Sequence, residues 1–195
     1  MRAGKPETPG AGAEAPELTE PTAWFTRFGG LVLLYPWLAG HLEGELPVAA
    51  APPGLDREAG ARLWALAALA DPEPAPAAVL DPLVRALAGD ELGRELGGWR
   101  PEPPEEPEAL APAANDLLRR FAAALPGFER SSPAYLRREF LVRDGLMEPA
   151  PTGGLAVTLE PAPLDLALER VAYPLLPFSL PWTVAFEPAI RGRGA

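Results

Sequence analysis

The catalytic inventory of this chain is thin: one histidine, His41, three serines, Ser131, Ser132 and Ser179, and no cysteine. No serine lies in a G-x-S-x-G elbow. Ser132 precedes Pro133, so helix capping accounts for it better than catalysis. His41 stands beside Leu38 and Leu42 and reads as a structural histidine at a helix end. Without cysteine, disulfides, thiolate catalysis and cysteine-ligated metals are excluded. The pairs Gly29-Gly30 and Gly97-Gly98 lack the lysine of a phosphate loop, which leaves nucleotide binding unsupported. Carboxylates are plentiful, but Glu102, Glu105, Glu106 and Glu108 sit in a proline-rich stretch where solvated charge explains them. Asp165 and Glu169, four apart, read as like charges on a helix surface. A carboxylate-dependent glycoside hydrolase is one alternative reading. The expectation is no enzyme, no catalytic residue, no cofactor and no metal.

The 195 residues carry a formal charge of −10, and Lys5 is the only lysine. Nucleic acid is therefore excluded as the expected partner, because backbone binding needs cations to displace counterions. Between residues 115 and 145, Arg119, Arg120, Arg130, Arg137, Arg138 and Arg143 stand among Asp116, Glu129, Glu139 and Asp144, the pattern of a solvated face with paired charges. Arg137 and Arg138 are candidate partner contacts within it. Trp37, Trp64, Trp182, Phe121 and Phe140 read as core, whereas Trp24 and Trp99 border flexible stretches and are the better candidates for contact. The longest apolar run, Phe28 to Ala39, is about 12 residues against the roughly 20 of a membrane span. With no apolar stretch in the first residues, a cytoplasmic protein without a membrane span is expected. Alanine-, arginine- and proline-rich usage fits a GC-rich bacterial genome.

To position these side chains the chain must build a core, for which 48% hydrophobic residues suffice, between 27 prolines that punctuate it. Residues 1–21 read as disordered, 22–190 as one domain with a Pro/Glu-rich linker at 99–112, and 191–195 as a tail. The fold class is α+β, mostly helical in the N-terminal part, with a small antiparallel sheet or hairpin and short helices in the C-terminal third. Phe28–Leu42 reads as a helix broken at Pro36. Asp56 caps a helix over 57–70 that buries Leu63, Leu66, Ala67 and Ala70 on one face. A further helix over 77–88 ends at Gly89, and another, over 113–125, turns Leu117, Leu118, Phe121 and Leu125 inward. Ser132 and Pro133 open a short helix carrying Leu136 and Phe140. Leu146–Glu148 and Leu155–Glu160 pair as a hairpin, Leu164, Leu168 and Val171 share a helical face, and Leu180–Phe186 forms a last strand.

Four stretches in order resemble the tape-measure family of contractile injection systems, phage-tail-like particles of bacteria. The first is Gly30-Leu31-Val32-Leu33-Leu34-Tyr35-Pro36-Trp37-Leu38, similar to the family's Gly-Leu-Val-Leu-Leu-x-Pro-Phe-Leu. The second is Ser132-Pro133-Ala134-Tyr135-Leu136-Arg137-Arg138-Glu139-Phe140-Leu141. A strand and an aspartate-bearing helix follow, matched by Leu155–Glu160 and Pro163–Arg170 with Asp165. The last is Leu180-Pro181-Trp182. The sequence departs from the pattern at Val171-Ala172-Tyr173, where the family has an earlier Leu-Pro-Trp, at Phe28-Gly29, which lacks the asparagine, and at Pro188. The resemblance covers about residues 24 to 188. It implies a non-enzymatic assembly component that docks on tube, baseplate or tail-terminator proteins, and it sets no oligomeric state. The alternative from composition alone is a general adaptor that binds partners through its Pro/Glu-rich linker.

Overall fold

A computed structural model describes residues 23–192. The disorder expected for 1–21 and most of the 191–195 tail lie outside the described residues. The fold is α+β: the described residues form seven α-helices and a four-stranded mixed sheet in the order β1-β2-β3-β4. The expected hairpin is present, with β2 (Gly145–Pro149) antiparallel to β3 (Leu155–Leu159). Two strands flank it. β1 (Trp24–Thr26) lies antiparallel to β2, and β4 (Phe186–Ile190) lies parallel to β3. The sheet is thus larger than the hairpin and not wholly antiparallel.

The expected strand over Leu180–Phe186 is corrected. Leu180–Thr183 is a turn: the Thr183 N–H donates to Leu180 O at 3.0 Å, and the Leu180 N–H to Thr183 Oγ1 at 3.0 Å. Pro181 presets the dihedral such a turn needs at its second residue. The strand begins only at Phe186, and Pro188 is tolerated in it because β4 is an edge.

Gly29–Leu34 is a 3₁₀ segment, buried throughout, that passes into α1 (Tyr35–Leu42) with Pro36 in its first turn. Here Pro36 starts a helix, where its missing N–H costs nothing. α2 (Ala59–Ala70) buries all twelve residues, not one face as expected. Its alanines let neighbours approach from every side, which makes it the central helix. Asp56 lies two residues ahead of the N-cap, Glu58, and its carboxylate accepts the N–H groups of Glu58 and Ala59 at 3.0 and 2.9 Å in the turn that leads into α2.

The single helix expected over 77–88 is two, α3 (Pro76–Val79) and α4 (Pro82–Ala88). Pro82 pushes Asp81 out of the helical region, to ψ 134°, and the freed Asp81 carboxylate caps α4 through Leu83 N–H at 2.9 Å. Gly89 closes α4 at φ +100°, as expected. α5 (Leu110–Ala123) starts a turn earlier than expected, led in by a 3₁₀ turn at Pro107–Ala109. Pro112 falls in its first turn, where proline is tolerated. Within the 99–112 stretch, Pro101 and Pro104 are buried.

The short α6 (Pro133–Leu136) runs into a π-helical turn, Arg137–Leu141, and α7 (Asp165–Arg170) follows the hairpin. The core gathers on Phe121, whose ring meets Phe140 at 5.4 Å, Tyr173 at 6.0 Å and Trp37 at 6.3 Å, all edge-on. Buried residues on both sides of 99–112 join one hydrophobic cluster.

Candidate interaction surface

The motif residues come together as structure. A Cβ on Gly30 would stand 1.7 Å from Phe140 O, so the 3₁₀ segment and the π-helical turn pack backbone on backbone. Leu31, Leu34, Leu136 and Phe140 are fully buried. Ser132 Oγ accepts the Tyr135 N–H at 3.2 Å, with Pro133 at the first helical position.

Asp165, read in the sequence as a surface carboxylate, is buried and paired twice with Arg143, at 2.8 and 2.9 Å. It also accepts the Ala162 N–H at 2.8 Å, while Arg143 Nε donates to Glu160 O at 3.1 Å. This pair pins α7 to the end of the hairpin. Arg143, read in the sequence as part of a solvated face, is buried instead, because its partner lies 22 residues away.

The candidate contacts divide. Arg137 is only 5% exposed, and its guanidinium donates to Leu69 O, Ala68 O and Asn115 Oδ1 at 3.0, 3.3 and 3.0 Å. It closes the C-terminus of α2, where helix carbonyls lack partners, and is not at the surface. Burial lowers its pKa while Asp71 opposes. Arg138 is exposed, paired with Glu139 at 2.7 Å and lying over the Tyr135 ring. Trp99 is half-buried against the core.

His41 is neutral: burial, then the Arg120 charge, lowers its pKa to about 4, and its Nε2 has no hydrogen-bond partner among the described residues. Glu102, Glu105, Glu106 and Glu108 are all exposed. Among the described residues no cluster of His, Asp and Glu could hold a metal ion, and no helix is long and apolar enough to cross a membrane.

Trp24 and Trp182 share one place. Trp182 lies on the wall between two clefts. One, of about 450 Å³, is lined by Trp24, Leu92, Pro149, Leu155 and Val184, and the other, of about 410 Å³, by Leu42, Leu46, Val48 and Ala61. Val48 and Val184 are 71% and 56% exposed. Trp182 itself is half-buried, not fully core. Its Nε1–H donates to Leu87 O at 3.0 Å, and the Arg62 guanidinium lies 4.3 Å from its ring centroid. Arg62 donates to Ala88 O at 3.3 Å and pairs with Asp56 at 2.5 Å. Although burial opposes it, the Arg62 hydrogen bond and charge hold the Asp56 carboxyl below its usual value. The two clefts are therefore walled by a fixed indole. A fixed indole beside exposed apolar side chains is a feature shared with the centres of protein interfaces.

Comparison with known proteins gives one family. The sequence matches the contractile injection system tape measure protein family over residues 4–186. No curated protein and no solved structure matches it.

Proposed function

Because the chain belongs to the contractile injection system tape measure family, we propose that it is a non-catalytic docking domain that binds a tube, baseplate or tail-terminator protein during particle assembly. Membership of the family supports a structural role in such a system. The observation that carries the docking reading is the pair of clefts meeting at Trp182, with Val48 and Val184 exposed on their walls. Solvent-exposed apolar side chains around a rigid aromatic are the usual make-up of an interface centre. Trp24, singled out in the sequence as a contact, lines one of these clefts.

The test is the double variant Val48→Asp, Val184→Asp in the producing cells. Both side chains are exposed, so the melting temperature stays within a few degrees of the parent. Particle yield falls at least tenfold if the clefts dock a particle component, since a buried carboxylate at an interface centre costs well over the roughly 1.4 kcal/mol of a tenfold change. Normal particles from the folded double variant refute the assignment of the clefts.

A further inference from the structure

The sheet has a second face. Register places Trp24, Met147, Val157 and Pro188 in one cross-strand row and Thr26, Gly145, Leu159 and Ile190 in another, and every one of these is buried or half-buried on the core side. Side chains alternate along a strand, so the intervening rows face away from the core. The middle one is Phe25, Leu146, Thr158 and Ala189, without a charge. Phe25 is 78% exposed, the most of any large apolar side chain among the described residues. The next row carries Glu148, Ala156 and Glu187. Antiparallel sheets with one wet face normally make it polar. This one presents an uncharged row, apolar but for Thr158, with Phe25 and Ala189 exposed and Leu146 and Thr158 half-buried, and acid on one flank. On the other flank Glu160 pairs with Arg191 at 2.6 Å, beside a shallow hollow of about 440 Å³ lined by Phe25, Leu146 and Asp144. Glu148 and Glu187 make no ion pair with a described cation; Glu187 accepts the Thr152 hydroxyl.

We propose that this face docks an amphipathic helix of another particle protein, laid across the four strands, with its apolar stripe on the Phe25–Ala189 row and Lys or Arg on the flank facing Glu148 and Glu187. This rests on the docking reading above and adds a second surface to it. Three features select the occupant. The row spans three strand spacings, roughly 14 Å, which a helix covers in about three turns. The uncompensated carboxylates call for basic residues. Strand addition at the edges is opposed, because Pro188 lacks an N–H on β4 and Asp81 Oδ2 already takes the Arg27 N–H, 2.9 Å away, next to β1.

The test places the photo-crosslinker p-benzoylphenylalanine at position 25, and separately at position 184 in the cleft, in the full chain in producing cells, with the crosslinked peptides sequenced. The expected product from position 25 is a helical segment of a second protein with Lys or Arg along one flank. Glu148→Lys with Glu187→Lys should lower that yield at least about tenfold. Glu148→Lys alone, at an exposed site, should give an intermediate loss, and thermal melts confirm that each variant folds. Four results overturn the proposal: no product from position 25, products only with a second copy of this chain, an acidic or extended segment, or a yield indifferent to charge reversal. Products from position 184 but not 25 remove this face alone. Products from neither remove the docking reading as well.

Discussion

At Gly30 a single hydrogen in place of a methyl group lets two backbone segments touch. A Cβ there would lie 1.7 Å from Phe140 O and 2.6 Å from Leu141 Cα, both main-chain atoms that cannot swing aside. Gly30→Ala should therefore cost several kcal/mol, above the usual 1–3 kcal/mol of overpacking, and leave little folded protein by circular dichroism. A stable, folded variant would show that the two segments do not pack so closely.

Ala172 is the opposite case, a residue with a side chain where glycine belongs. It sits at φ +47° just past α7, with its N–H on Glu169 O at 2.9 Å and the Tyr173 N–H on Leu168 O at 2.8 Å. That is the Schellman closure, whose left-handed residue is usually glycine. Ala172→Gly should stabilise by about 0.5–1 kcal/mol, the strain relieved less the extra freedom of the unfolded chain. The measurement is the urea midpoint, and destabilisation would contradict the assigned cap.

His41 gives a pH dependence. Its folded pKa of about 4 lies below the ordinary 6.5, so between these values the unfolded chain binds more protons and stability rises with pH. The contribution is complete above pH 6.5, falls as pH drops towards 4, and then levels off, amounting to roughly 3 kcal/mol. Asp56, with a depressed carboxyl pKa, loses its contribution only below the ordinary carboxylate range. His41→Leu should flatten the 6.5-to-4 limb of stability against pH and leave the lower limb. An unchanged upper limb would mean that His41 titrates freely.

At the scale of elements, helix ends decide much of the fold. α4 is closed from outside its own sequence: Trp182 Nε1–H takes Leu87 O and Arg62 Nε takes Ala88 O, while Gly89 turns the chain beneath the indole. Trp182→Ala removes a half-buried ring and frees a carbonyl and a guanidinium at once. The expected loss is about 2–4 kcal/mol, just under the range for a fully buried tryptophan. A thermal melt with no loss would make Trp182 a contact residue alone.

The same scale shows what the sequence could announce. Ser132-Pro133, Gly89 and the alternating Leu155–Leu159 strand are local chemistry, and each stands where its residue types place it. The break at Asp81-Pro82 was equally local and was overridden by the helical spacing of Val79, Leu83 and Leu87. β4 had its own alternation, Phe186, Pro188 and Ile190 inward and Glu187 and Ala189 outward, hidden by a proline that only an edge strand accepts. β1 is three residues long, too short for any period. Arg137, read as a partner contact, could not be recognised as buried, because nothing near it in sequence tells of the α2 carbonyls 68 and 69 residues away. The Trp24–Trp182 cleft is likewise a product of tertiary packing, although one of its two tryptophans was singled out.

For the whole molecule, membership of a tape measure family raises the matter of length. A ruler sets tube length by its own extent, and a helix gains about 1.5 Å per residue. Even 195 helical residues would reach only roughly 290 Å on that rise. Residues 23–192 are instead broken into helices of at most 14 residues around one hydrophobic cluster. A folded unit of this size has a radius of gyration near 16 Å. We propose that a domain so compact holds an end in place and does not itself count. The prediction is that lengthening it leaves tube length unchanged. A flexible insert between Glu105 and Glu106, both exposed and ahead of α5, spares the buried Pro101, Pro104 and Leu110. Particles from that strain, measured by electron microscopy, should keep the parent length, while deletion of the whole chain should abolish assembly. Tubes that grow in proportion to the insert would make this domain part of the ruler and overturn its reading as a docking end.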